Sequence, residues 1–412
     1  MELFWPRRWP HYAWVVLASI MVVNIISTGV KMSFGVLIDP LVNEHGWSRG
    51  GISLGYTLQF LVGIPAILIV GRLAEKISGQ SMVAVGTIIF VVGMLLTASV
   101  TQLWQFQFYF GSLIGGISSA PFMVLLPVLL TRWFHRKLGV AIGLMWVSLS
   151  LGPAVFSPLI TWYIATMGWS QTFIIFGLIG GAVMLVSAFF IRNNPQDKKL
   201  DPYGDLSSEP LTEDMDSPVA RLSLRQVMGM TSFWLLLAVH ALGCLGHSVL
   251  LAHVVSITTF TGIPAMAAAS TLSIVMVTSI ISRFGMSLVA ETKGGRFTLV
   301  LALLLQTVPT LILLVATDLW SFYSFAFLFG IGYGGEMVGY TIFNRQYYGT
   351  KTSLDVIYSY QLVSAMVGMA VGGWIGGALF DGTGTYFWSI LASVIAGFLG
   401  VVAALKLPPH HR

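Results

Sequence analysis

The sequence predicts an all-α polytopic membrane protein of twelve transmembrane helices. Its 412 residues are 56% hydrophobic and only 9% charged, where a soluble domain carries about 25% charge. Apolar runs recur along the whole chain, each near or above the roughly 20 residues that cross a bilayer. One long polar stretch, Asn193–Met230, divides six such runs from six.

The runs fall in order at 12–38, 50–72, 80–100, 103–131, 138–165 and 169–191, then at 231–259, 265–290, 296–316, 319–343, 354–380 and 384–407. The first contains an internal lysine, Lys31. The fifth carries Gly152-Pro153 and Ser157-Pro158, which kink a helix. The seventh holds His240, His247, His253 and the single cysteine, Cys244; the eighth has one charged side chain, Arg283. The tenth has a glycine-rich run, Gly330 to Gly335, followed by Glu336. That run lies within the membrane and outside any strand–helix context, so it serves close packing or flexibility rather than phosphate binding. The central stretch is acidic, with Asp197, Asp201, Asp205, Glu209, Glu213, Asp214 and Asp216 among several prolines, and has the composition of a disordered linker. The division expected is residues 1–192, a linker at 193–230, and residues 231–412.

Orientation follows from Lys and Arg. With the N-terminus in the cytoplasm, Arg7, Arg8, Arg72, Lys76, Arg132, Arg136, Lys137, Arg192, Lys198, Lys199, Arg221, Arg225, Lys293, Arg296, Arg345, Lys351, Lys406 and Arg412 all fall on that side. The opposite loops hold only Arg49, beside Asp39, Glu44, Asp318 and Asp381. Both termini are therefore expected inside. The basic balance is topological and implies no nucleic-acid partner. Met1–Arg8 is basic, but the apolar run behind it is too long for a cleaved signal peptide. A lone cysteine excludes an internal disulfide and a Cys-rich metal site. Neither metal nor cofactor is expected, and no nucleophile–base constellation suggests an enzyme.

Short motifs carry a family resemblance. Gly71-Arg72-Leu73-Ala74-Glu75-Lys76-Ile77-Ser78-Gly79-Gln80 resembles the major facilitator signature Gly-x-x-x-Asp-Arg-x-Gly-Arg, with Glu75 for the acid and the later glycine displaced. Ala290–Arg296 is a weaker echo in the second half. An acid at a helix end can meet basic residues and a helix N-terminus on a neighbour. Gly71, Glu75, Lys76, Arg132 and Arg136 are thus a candidate conformational latch. The start of the fifth run, from Arg132-Trp133-Phe134-His135-Arg136-Lys137 to Leu144, is similar to a monocarboxylate transporter pattern. Ser27–Val36 resembles that family's first helix, where a lysine lies in the substrate passage. Gly46-Trp47-Ser48-Arg49 is frequent among its relatives. The chain is identified as resembling the monocarboxylate transporter family of the major facilitator superfamily, as a bacterial relative of lactate and pyruvate carriers. The resemblance implies two six-helix bundles around a midplane site, a bacterial cytoplasmic membrane location, and proton symport of a small monocarboxylate by a monomer.

Arg283 is the leading candidate. A lone arginine at such depth costs about 2.5 kcal/mol or more, and its planar fork of donors suits a carboxylate. The resemblance places it where the family's eighth helix holds substrate. The alternative is an internal ion pair with Glu336. Arg283 lies about 12 Å from Glu291, and Glu336 about 13 Å from Arg345, so their depths match. The family's mammalian members carry an aspartate one turn before the arginine; Ser279 stands there, so a proton must be carried elsewhere. His253, Glu336 and Lys31 are the candidates, with His253 first because imidazole titrates near neutral pH. Lys31, read as lying near the outer end of its helix, either captures an incoming anion or snorkels to the interface. Phe34, Leu144, Ser148, Ser279, Tyr333 and Tyr340 are the expected lining residues.

Two other functions remain open at this point. An oxalate/formate-type antiporter would pair the arginine with a lysine in the eleventh helix, which has none internally. An anion-binding membrane sensor would need a signalling segment that the chain does not display.

Overall fold

The computed structural model describes residues 11–204, 222–349, 352 and 354–409. It is helical throughout, apart from one isolated bridge between Phe134 and Tyr203. Arg7, Arg8, Arg221, Lys351, Arg412 and Asp205–Asp216 lie outside the described residues.

Helix α1 comes in two pieces, Tyr12–Met32 and Gly35–His45, joined at Ser33–Phe34. It ends at Gly46, whose left-handed φ of 68° lets its amide reach the Val42 carbonyl, the usual service of glycine at a helix C-terminus. Helix α2 is Arg49–Leu73, started by Ser48, whose hydroxyl accepts from the Gly51 amide. Helix α3 is Gly79–Thr97 and α4 is Leu103–Trp133. Helices α5 and α6 share the unbroken run Leu138–Phe190. Gly168, at φ 82° and ψ 163°, separates them into 138–167 and 169–190. Then follow α7 (Thr231–Phe260), α8 (Ala265–Lys293), α9 (Gly295–Leu314), α10 (Leu319–Tyr348), α11 (Leu354–Thr383) and α12 (Phe387–Leu405).

Twelve spans result, although only 10 helices meet a simple test of length and apolarity among the described residues. The α5–α6 run counts once in that test. Helix α10 falls short because its glycines, tyrosines and Glu336 dilute its apolar residues.

The halves are each built from close pairings. In the first, α1 packs on α5 and α2 on α4; in the second, α7 packs on α11 and α12, and α10 on α8 and α9. Small residues permit this, since lipid offers no hydrophobic drive for helices to associate. Gly368 and Gly372 of α11 press on the Ala241 and Leu245 carbonyls of α7. Gly330 and Gly334 of α10 press on Val275 and Ser279 of α8. The expected packing role of the α10 glycines is thus visible.

Between the halves, α2 meets α11 and α5 meets α8. Thr57 donates to the Ala370 carbonyl at 2.7 Å, and Ser273 to the Ala154 carbonyl at 2.7 Å. One end of the molecule, carrying Asp39, Glu44, Asp318 and Asp381, is joined tightly. Arg49 pairs with Asp39 at 2.6 Å, and the Asp381 carboxylate accepts the Arg49 and Gly50 amides at 2.9 and 2.7 Å. The Arg49 guanidinium also stands over the Phe380 ring at 4.7 Å. These contacts continue inward as far as Met366 against Gly63, and Arg283 against Trp146. Further toward the opposite, basic end, Gly139, Gly143 and Gly285 have nothing within 4 Å of where a Cβ would stand. The halves meet at the acidic end and part toward the basic one.

The first part of the central stretch is ordered, contrary to the linker expectation. Tyr203 receives its backbone pairing from Trp133, His135 and Arg136 and joins a ring cluster with His11, Trp14 and Phe134. Aromatic contacts of this kind hold a segment that its charge alone would leave solvated.

Candidate functional site

Arg283 reaches across from α8 to α5. Its Nη1 donates to the Trp146 carbonyl at 2.7 Å and its Nη2 to the Ser150 hydroxyl at 2.9 Å. Trp146 and Ser150 are one turn apart, so α5 offers both acceptors on one face. Ser279, one turn before Arg283, is fully buried and donates to the Met276 carbonyl at 2.7 Å, with Ser150 at 3.3 Å. Guanidinium carries five N–H donors, and the acceptors found here are neutral. Among the described residues, Arg283 has no carboxylate partner.

The alternative pairing of Arg283 with Glu336 is not formed. Glu336 instead faces α7 and α9. Its Oε2 lies 3.3 Å from His247 Nδ1 and accepts from Gln306 Nε2 at 2.8 Å. Position along a helix says nothing of the direction a side chain takes around it. Cys244, His247 and Glu336 also bring ligand-type atoms within 4.8 Å of one another. The hydrogen bonds of Glu336 account for that proximity without an ion.

Lys31 is deeper than expected. Helix α1 runs to His45 rather than ending near residue 38, so Lys31 lies about 20 Å from that end at 1.5 Å per residue. It occupies the last turn before the Ser33–Phe34 break, where a cation complements free helix carbonyls. Gly29 meets Phe156, and Gly152 meets Thr28. Lys31 thus stands on the order of 10 Å nearer the acidic end than the α5 groups that hold Arg283.

His253 is fully buried. Its Nε2 lies 2.9 Å from the Gly373 carbonyl and 3.4 Å from the Ser53 hydroxyl. A carbonyl only accepts, so Nε2 carries the proton. The ring joins α7 to α11 and α2 near the closed end, in the hydrogen-bonded structural role.

The remaining lining residues separate. Tyr333 is half-buried, its ring edge-on to His247 at 5.2 Å, and its phenol is close enough to interact electrostatically with Arg283. Phe34 is sealed among Tyr56, Phe106 and Phe110. Tyr340 stacks on His240 at 4.0 Å within the second half. Ser148 bonds back to its own Met145 carbonyl at 2.6 Å. The α5 hydroxyl at the arginine is Ser150, which sequence reasoning missed: two residues turn a helix by about 200°, placing Ser148 on the other face. Leu144 shares the face of Ser148 and packs on the core.

At the basic end, Gly71, Glu75, Lys76, Arg132 and Arg136 are exposed. None of the four charged ones forms an ion pair with another in this structure.

Two helical halves around a mid-depth cation, closed at one end and parted at the other, are the arrangement of a fold built for alternating access. The chain belongs to the Major Facilitator Superfamily, whose family profile matches residues 20–353. Monocarboxylate transporter 11 of Mus musculus is 26% identical over 215 residues, which are 52% of this chain and 45% of that protein. The MFS-type transporter YcxA of Bacillus subtilis is 21% identical over 423 aligned positions, covering 98% of this chain and 96% of that one. The chain spans less than half the length of several other curated relatives it matches, Monocarboxylate transporter 11 among them. A bacterial homologue of the human lysosomal transporter Spinster, solved in an inward-facing and unoccupied conformation, superposes with a TM-score of 0.69 at 13% identity, over 97% of this chain and 95% of that one. That likeness is one of fold.

Proposed function

We propose that this transporter carries a small monocarboxylate such as lactate or pyruvate together with a proton, by alternating access of residues 1–192 against 231–412. The observation that carries the proposal is the Arg283 guanidinium, held between the halves by neutral acceptors alone. A bound carboxylate is the counter-ion that such a site lacks. The similarity to monocarboxylate transporters points the same way. A net neutral load keeps the interior charge constant as the site changes sides. The excess of Lys and Arg at the basic end supports a cytoplasmic side for it; in this reading the protein lies in a bacterial inner membrane and is open to the cytoplasm.

The test is lactate uptake into proteoliposomes with and without an inward proton gradient, for the wild type and Arg283→Lys. The gradient drives accumulation by the wild type. The lysine variant, which keeps the charge but loses the planar fork, drops at least tenfold. Undiminished uptake by the variant removes Arg283 from the site.

One observation favours a second reading. Lys31 at mid-depth adds a cation on the acidic side of Arg283, and two cations suit the two ends of a dicarboxylate in an oxalate/formate-type antiport. Oxalate competing more strongly than lactate decides for it.

A further inference from the structure

The geometry points to the Glu336–His247–Gln306 cluster as the place where the co-transported proton is held, with Tyr333 as the residue that reports substrate to it. This inference rests on the symport reading above and names the part that reading leaves unassigned.

Glu336 is 3% exposed, in the middle of a 30-residue span. A carboxylate at that depth needs a cation, a proton or water. Neither lysine nor arginine supplies the charge. The groups facing it are His240, Cys244 and His247 from α7, Gln306 from α9, and Tyr333 and Tyr340 from its own helix. Helix α8 contributes only Arg283, by way of Tyr333.

His247 Nδ1 points at two oxygens, Gln306 Oε1 at 3.2 Å and Glu336 Oε2 at 3.3 Å. Both only accept, because Gln306 spends its amide nitrogen on Glu336. Nδ1 therefore carries a hydrogen whichever form the ring takes. The other ring nitrogen faces the Met369 sulfur at 3.1 Å, and Glu336 Oε1 has no hydrogen-bond partner. With the ring neutral and the acid ionised, the cluster has a net charge of −1. One added proton, on Nε2 of the ring or on Oε1 of the acid, brings it to zero. A single proton, taken at either position, neutralises the cluster.

The coupling path is short. Tyr333 and Glu336 are three residues apart on α10, hence on one face. The Tyr333 ring lies against His247, and its phenol lies within the field of Arg283. In the empty site, the positive Arg283 and the ionised cluster balance each other. A carboxylate on Arg283 cancels its field, which raises the affinity of the cluster for a proton. By linkage, the proton raises the affinity for the anion equally. Empty and loaded forms then carry the same net charge. The proton comes from water on one side and is given up to water on the other.

Proteoliposomes holding a pH dye and labelled lactate test this, read as net uptake and as lactate–lactate exchange, which moves no net proton. Wild-type uptake acidifies the lumen; if it does not, the symport reading itself fails and the cluster has nothing to hold. Arg283→Lys loses both uptake and exchange. Glu336→Gln loses gradient-driven accumulation at least tenfold but still exchanges. Glu336→Gln that accumulates lactate and acidifies the lumen as the wild type does overturns the assignment. So does a folded Glu336→Gln that has lost exchange as well, since that residue would then belong to the anion site or the scaffold. Should Glu336→Gln fail to fold, as judged by size exclusion, His247→Asn takes its place and shifts the pH midpoint of uptake by more than one unit. An unmoved midpoint overturns the proposal.

Discussion

Arg283 stands out in the sequence because hydrocarbon makes a lone charge expensive; no partner need be known to notice it. Its partners are another matter. Ser150 and Ser148 are equally plausible by spacing, and only the packed face of α5 distinguishes them. The structure gives Ser150 to Arg283 and turns Ser148 onto its own backbone. Ser150→Ala should therefore raise the KM for lactate on the order of ten- to a hundredfold, for one hydrogen bond to a charged group lost, while Ser148→Ala leaves it within about twofold. Equal effects of the two substitutions in initial-rate uptake would refute the site as drawn. Glu336 was legible as an unusual acid for the same reason as Arg283. Its companions His247 and Gln306 were not, since sequence yields depth along a helix but not direction around it.

At the level of the helices, polar gaps and apolar runs placed the spans within a few residues, except at α1. There the run continues through Asp39 and Pro40 to His45, past the point where hydropathy fades, and this moved Lys31 from the rim to the interior. Boundaries are the least legible feature because a helix can extend through polar residues when tertiary contacts, here Asp39 with Arg49, satisfy them. The glycines of α10 give the sharpest test at this scale. A Cβ at Gly334 would collide with the Ser279 carbonyl on α8, beside the arginine. Gly334→Val should destabilise by on the order of 1–3 kcal/mol through overpacking, seen as a lower Tm in detergent. An unchanged Tm would mean that α8 and α10 are not so close.

Across the whole molecule, the halves are held at the acidic end by contacts that no span-by-span reading could foresee, because Arg49, Asp39, Asp381 and Phe380 come from both halves of the chain. Opening at that end must break them. Asp381→Asn removes the charge that accepts two amides at the start of α2. It should move the population toward the form open at the acidic end on the order of ten- to a hundredfold, given about 1.5–3 kcal/mol for bonds to a charged group. Spin-label distances across that end would lengthen. Distances that stay at the wild-type value would show that the apolar contacts suffice.

The composition of that closure has an environmental consequence. Arg49 and Asp39 are 14% and 25% exposed as side chains, so dissolved ions act on them from the rim, more weakly than on a fully exposed pair, with a screening length of about 8 Å at physiological ionic strength. Among the described residues, the opposite rim has no ion pair of this kind to lose. Salinity on one face of the membrane thus acts as a bias on which way the protein opens, independent of how much substrate is present: brine loosens the clasp and dilute water tightens it.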